Sequence, residues 1–213
     1  GVWYFNKETG DEYVYKYSGG LGTYCAKHIP LAVHSEEAGK TFFTYGGVSE
    51  EGNLLEMVSF FDHATGTVPR PTILMDKGTS DAHDNVTLGI DGQGYIWCYA
   101  SAHGTSRPAY IFKSTRPHSI ARFRVVSKFN FSYPQAWHFE DLGWLFLHTH
   151  YESWQETHGR TLWWMTSPDG EEWSRRRRLA RIEQGHYQVS WRHGGKVGTA
   201  FNYHPPEKGL NWR

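Results

Sequence analysis

Two histidines, His83 and His103, flank a glycine-rich turn in the stretch SDAHDNVTLGIDGQGYIWCYASAHGTSRP, residues 80 to 108. Imidazole is the side chain whose charge changes closest to neutral pH, so a facing pair of histidines can give or take protons there. In a two-stranded hairpin, residues whose numbers sum to a constant face each other. The turn Asp91-Gly92-Gln93-Gly94 puts the hairpin centre near 92.5 to 93, and 83 and 103 sum to 186. The two histidines therefore face one another at the end away from the turn. With 13 histidines in the chain, any one of them is usually a surface or satisfied core residue, so the case rests on convergence.

Counting onward from comparable turns supplies that convergence. His103 lies nine residues past Gly94, Tyr151 eight past Gly143, and Tyr203 and His204 eight and nine past Gly195. Equivalent hairpins would bring all of these to one rim, with His148 and His150 nearby. Asp81, Asp84 and Asn85 stand beside His83 and could orient its imidazole and fix its tautomer; Asx-type turn bonds at a strand start are the plainer use of such residues. Arg160 opens the strand TLWWMTS. If that strand pairs back along 144–151, Arg160 comes close to Tyr151. A guanidinium there suits an anion such as a carboxylate, and a rim salt bridge is the alternative.

The elements that must position these residues read as all-β. Helical periodicity is nearly absent, and short β-rich runs alternate with turn signals every 8 to 15 residues. VHSEEAGKTFFTY, GIDGQGYIWCY, HFEDLGWLFLH and WRHGGKVGTAF each read as strand, polar turn with glycine, and aromatic strand. Their turn glycines, Gly39, Gly94, Gly143 and Gly195, are spaced by 55, 49 and 52 residues. One or two further strands follow the second and third hairpins. Four strands per repeat predict the blades of a β-propeller, with a solenoid of hairpins as the competing arrangement. The expected blades cover roughly 24–78, 79–130, 131–183 and an incomplete 184–213, so residues 1–213 read as one partial propeller domain, a fragment of a longer ring. TSPDGEEW, 166–173, resembles the Asp-box turn of sialidase-type propellers with Asp169 one place late. That box is structural and carries no chemistry.

Bulk composition excludes several classes. Basic and acidic residues balance at 22 each, which argues against a nucleic-acid partner and against a disordered acidic chain. The run SRRRR, 174–178, falls where an outer strand would run and reads as a solvated face rather than a polyanion patch. No segment approaches the roughly 18 apolar residues of a membrane helix. Ten Trp, 13 Tyr and 12 Phe beside 23 Gly suit a β-rich core, and flat rings also suit sugar faces. Two cysteines, Cys25 and Cys98, make neither a disulfide framework nor a metal motif; one disulfide or two buried thiols both remain open. No metal-ligand spacing stands out among His28, His34, His204 and the cysteines, so no cofactor is assigned.

DAHDNVTLGIDGQGYIWCYASAHGTSRPAYIFKST resembles the hallmark segment of the BNR-repeat polysaccharide lyases, which include ulvan lyases and related rhamnose–glucuronate lyases. The resemblance extends from about residue 25 to AFNYHP. It implies a seven-bladed propeller and cleavage of a 4-linked uronic acid by β-elimination. It carries His83, His103, Tyr151 and Tyr203 over as catalytic residues, and Arg160, Asn85, His150 and His204 as substrate-binding ones. Arg160 with one histidine would neutralise the uronate carboxylate. Tyr151 or His103 would be the base, Tyr151 only if nearby positive charge lowered its pKa, and Tyr203 or His83 the acid or a positioning group. Some members of the family hold a structural metal ion, which no residues here specify. The resemblance also implies an acidic polysaccharide partner, a secreted or periplasmic location, and a monomer at full length. A sialidase-like glycoside hydrolase and a non-catalytic sugar-binding propeller are the competing functions.

Overall fold

A computed structural model describes residues 29–152, 159–181 and 186–203. The described residues form three four-stranded antiparallel sheets and one two-stranded sheet, each made of consecutive strands. The first holds β1 (Ala32–Ser35), β2 (Lys40–Val48), β3 (Leu54–Asp62) and β4 (Thr72–Asp76). The second holds β5 (Val86–Ile90), β6 (Ile96–Ala100), β7 (Ala109–Ser114) and β8 (Phe123–Phe129). The third holds β9 (Ser132–Phe139), β10 (Gly143–Glu152), β11 (Gly159–Ser167) and β12 (Arg177–Ala180). In the fourth, β13 (His186–His193) pairs with β14 (Lys196–Tyr203). The first strand of each sheet neighbours the first strand of the next, so the sheets stand side by side around their inner strands. These are blades of a β-propeller.

The second blade is buried on both faces. Every residue of β6 is buried, and its alternation sends them in two directions. Ile96, Cys98 and Ala100 join Phe42, Val58, Val86 and Leu88 against the first blade. Trp97 and Tyr99 join Ala136, Trp144 and Phe146 against the third. Polar side chains stitch neighbouring blades together, with Thr44 donating to the Val86 carbonyl at 2.8 Å and Gln135 to the Gln188 carbonyl at 2.8 Å. Cys98 is thus a core residue, whereas Cys25 lies outside the described residues.

The Asp-box-like turn joins β11 to β12 and closes on its own atoms. Asp169 Oδ1 accepts from the Glu171 and Glu172 amides, and Ser167 Oγ accepts from the Gly170 amide. Gly170 has φ +79°, and a Cβ there would lie 2.5 Å from the Trp97 ring. The turn fastens the third blade to the core of the second. Arginines of the SRRRR run lie on and before the edge strand β12. Arg177 lies over Trp164, Arg178 lies over Trp163 and pairs with Glu152, and Arg176 donates to the Asn130 carbonyl.

Candidate active site

The hairpin β5–β6 carries the site. Its ladder runs Val86↔Ala100 to Ile90↔Ile96, every pair summing to 186. Extending that register beyond Val86 brings a short 3₁₀ turn, Ala82–Asp84, opposite the loop that begins at Ser101. His83 and His103 meet there with ring centroids 4.0 Å apart and planes 16° from parallel. At the other end, Asp91 Oδ1 accepts from the Gln93 and Tyr95 amides and sets the tight turn that fixes this register.

One carboxylate orients both rings. His83 Nδ1 lies 2.6 Å from Asp81 Oδ1, and His103 Nδ1 lies 2.7 Å from Asp81 Oδ2. Both Nδ1 atoms therefore carry hydrogen and donate to Asp81, and this selects, for the neutral ring, the tautomer whose Nε2, on the far side, has the lone pair of a base. Burial alone would raise the Asp81 carboxyl, but the bonds from His103, His83 and the His83 amide outweigh it and hold it well below the carboxylate range. Asp81, His83 and His103 are also a trio of metal-ligating type, with donor atoms within 4.8 Å of one another.

Asp84 clamps the loop that carries His103. It is fully buried, accepts from the His103 amide at 2.7 Å, and takes two bonds of 2.9 Å from Arg107. Arg107 also reaches Asp81 at 3.4 Å, and its hydrogen bonds to Asp84 raise the guanidinium above its already high pKa. Asn85, next in sequence, is buried at the head of β5, and its carbonyl accepts from the Ser101 amide.

The third blade supplies the phenols and the guanidinium. Tyr151 and Arg160 are direct cross-strand partners at the end of β10–β11, so they share a face. The Tyr151 ring lies 5.7 Å from His103, edge to face, and its hydroxyl is 3.3 Å from that of Tyr133. Tyr133 is reached by an irregularity: β9 shifts register against β10 between Leu147 and Thr149, and Tyr133 takes φ +50°, a left-handed conformation costly for a residue with a side chain. Its amide is held by Ser101 Oγ at 3.2 Å, and its ring stands 6.2 Å from His83. Arg160 donates to the Tyr187 hydroxyl at 2.7 Å from the fourth blade and lies 4.8 Å above that ring.

The residues singled out in the sequence divide as follows. His83, His103, Tyr151 and Arg160 come together. Tyr151 departs from the condition set for it as a base: burial raises its pKa, with Tyr133 and Arg160 only partly opposing, so it stands as a protonated phenol. His150 lies on the opposite face of β10, where its Nδ1 bonds Asn130 Oδ1 at 3.2 Å, so it does not join the cluster. His148 shares that opposite face and is buried against Phe146 and Phe131. Tyr203 closes β14 opposite His186, while its side chain, and His204 entirely, lie outside the described residues.

Three contributors were missed. Tyr187 precedes the turn glycine of its own hairpin, Gly195, so counting forward from that turn passes it by. Tyr133 depends on a bulge. Arg107 was visible within HGTSRP, but pairing with buried Asp84 needs the fold.

Fold and site together define a β-propeller with a histidine–tyrosine–arginine cluster where three blades meet at one rim. No protein-family model and no curated protein matches the sequence. Solved structures do match. One is described as a polysaccharide lyase of a new family, PL25, an ulvan lyase bound to -[GlcA(1-4)Rha3S]-, with TM-score 0.70 and 16% identity over 95% of this chain and 49% of that one. A second structure of a PL25 ulvan lyase matches with TM-score 0.68 and 16% identity, over 94% of this chain and 48% of that one. The likeness is one of fold, and the chain spans about half the length of these neighbours.

Proposed function

We propose that the protein is a polysaccharide lyase that cleaves a 4-linked uronic acid of glucuronate–rhamnose type by β-elimination, and that it belongs with the propeller lyases its sequence resembles. The observation that carries this reading is the doubly tethered histidine pair: Asp81 accepts from both Nδ1–H groups, which fixes the tautomer in which a neutral His103 offers Nε2 as a proton acceptor beside the Tyr151 phenol. Arg160 binds the uronate carboxylate and disperses the charge that builds as the C5 proton leaves, while His83, its ring stacked 4.0 Å from that of His103, is a positioning group. His103, the more exposed histidine with 34% of its side chain accessible, takes that proton at Nε2. The C5–H electron pair becomes the C4=C5 double bond, the C4–O4 bond breaks, and Tyr151 gives its phenolic proton to O4. Solvent returns the proton from His103 to Tyr151. Tyr203 and His204 are proposed to complete the substrate site.

Hydrolysis is disfavoured by where the acids are spent. A glycosidase needs one protonated carboxyl and a second carboxylate or an equivalent nucleophile. Asp81 is held ionised by two histidines, and Asp84 is buried under Arg107. The partner is an acidic polysaccharide, and the working location is proposed to be outside the cytoplasm, the protein acting as a monomer. No described helix is long and apolar enough to cross a membrane. The test is near-ultraviolet absorbance on 4-linked glucuronate–rhamnose polysaccharides. A rise that His103→Ala and Tyr151→Phe abolish supports elimination. A new reducing end without absorbance moves the protein to the hydrolases, and binding with neither product moves it to the lectins.

A further inference from the structure

The charges behind the histidines continue inward to a group the reaction does not use. Glu56, in β3, is fully buried, and neither of its carboxylate oxygens has a hydrogen-bond partner among the described residues. The titratable groups facing it are Lys77 from beyond β4, Asp84 from the 3₁₀ turn and Cys98 from β6. Its strand partners, Gly46 in β2 and Met75 in β4, do not titrate. Lys77 Nζ, itself buried, lies 3.9 Å from Asp84 Oδ2 and donates to the Pro108 carbonyl at 3.0 Å.

The result is a chain of ionisable groups from Glu56 through Lys77, Asp84, Arg107 and Asp81 to the two imidazoles. Lys77 and Arg107 already balance Asp84 and Asp81. A further buried carboxylate without hydrogen bonds is favoured only as the neutral acid. Burial accordingly pushes Glu56 up to about 8, with Lys77 opposing and Asp84 reinforcing the shift.

We propose that Glu56 is a positioning residue whose proton keeps the His103 loop clamped. While neutral, it leaves the Lys77 ammonium to Asp84 and Pro108, which hold the 103–108 loop. Once ionised, it draws Lys77 away from Asp84, the clamp on the His103 amide and on Arg107 slackens, and the histidine pair loses its fixed geometry. The effect on rate rests on the lyase reading; the effect on the loop does not.

The test uses Glu56→Gln, which fixes the neutral form at nearly the same shape. The first readout is stability against pH. The carboxyl value is raised on folding from 4.5 to about 8, so its stabilising effect is complete below 4.5 and lost as pH rises to about 8. Over that window the folding constant of the wild type falls about tenfold per pH unit relative to Glu56→Gln, and then runs level. The second is the His103 ring resonance by NMR, which steps with a midpoint about 8 in the wild type and not in Glu56→Gln. The third is the pH–rate profile, whose alkaline limb near pH 8 moves up by about one unit or more in the variant. Tyr151 and Cys98 lie too high to supply that limb. A Glu56→Gln protein that keeps the wild-type resonance step assigns the titration to Lys77 or the histidines and overturns the proposal. Absence of elimination on every uronic substrate overturns the lyase reading alone, because stability and NMR still judge Glu56.

Discussion

Replacing Asp81 by Asn isolates the step on which the chemistry turns. The carboxylate accepts from two Nδ1–H groups at 2.6 and 2.7 Å, which only an acceptor-only group can do. An amide of the same shape offers one oxygen and one NH₂. Its oxygen keeps one histidine as the Nδ1–H tautomer, while its nitrogen donates to the other and drives that ring's hydrogen to Nε2. At least one Nε2 then ceases to be a base. A misassigned tautomer removes general-base catalysis, worth roughly 10²–10⁴ in rate, so kcat on a 4-linked uronic polysaccharide is expected to fall by about 10²–10³. Loss of the charged acceptor costs about 1–3 kcal/mol of folding stability, discounted because 28% of the Asp81 side chain is accessible. KM is expected to change little, since Arg160 binds through the other blade. The assay follows the unsaturated product by near-ultraviolet absorbance, with denaturant unfolding as the check on folding. A folded Asp81→Asn protein with kcat within about threefold of wild type would refute the tautomer argument.

Tyr151→Phe removes the phenol that is proposed to protonate O4. It is expected to lower kcat by about 10²–10⁴ while costing under about 1.5 kcal/mol, because the hydroxyl's bond to Tyr133 is long at 3.3 Å; kinetics and unfolding on one preparation decide. Arg160→Lys loses the planar fork and its stacking on Tyr187, and is expected to cut kcat/KM by about 10–100-fold with KM rising; unchanged KM would place the anion site elsewhere. Gly170→Ala sets a Cβ against Trp97 at positive φ and is expected to cost about 2–4 kcal/mol in urea unfolding, with activity per folded molecule retained. The carboxyl of Asp81 is depressed on folding, so its stabilisation is present above about pH 4 and lost progressively as pH falls below that; Asp81→Asn should flatten the acid side of a stability–pH curve.

Much of the architecture was legible because it is written locally. Alternation with period two, glycine where the backbone turns left-handed and aromatic strands at even spacing are properties of short segments. So is hairpin register: once Asp91 to Gly94 is the turn, the pairing of every residue from Val86 to Ala100 follows, and with it the meeting of His83 and His103. The pairing of Tyr151 with Arg160 follows from the same rule applied to β10 and β11.

What tertiary structure alone decided are facts that no single ladder holds. Which face of β10 looks into the site depends on the neighbouring blades, and this separates Tyr151 from His150 one residue away. The bulge and left-handed backbone that deliver Tyr133 depend on how β9 packs against the second blade, and Tyr187 arrives from a different blade altogether. Ionisation states depend on burial and on partners brought from distant segments: Asp81 is held charged by residues 2 and 22 places away, Tyr151 stays a phenol, and burial pushes the Glu56 carboxyl up to about 8. Spacing along the chain fixes which residues can meet, whereas their protons are set by a dielectric that exists only once the blades have closed on one another.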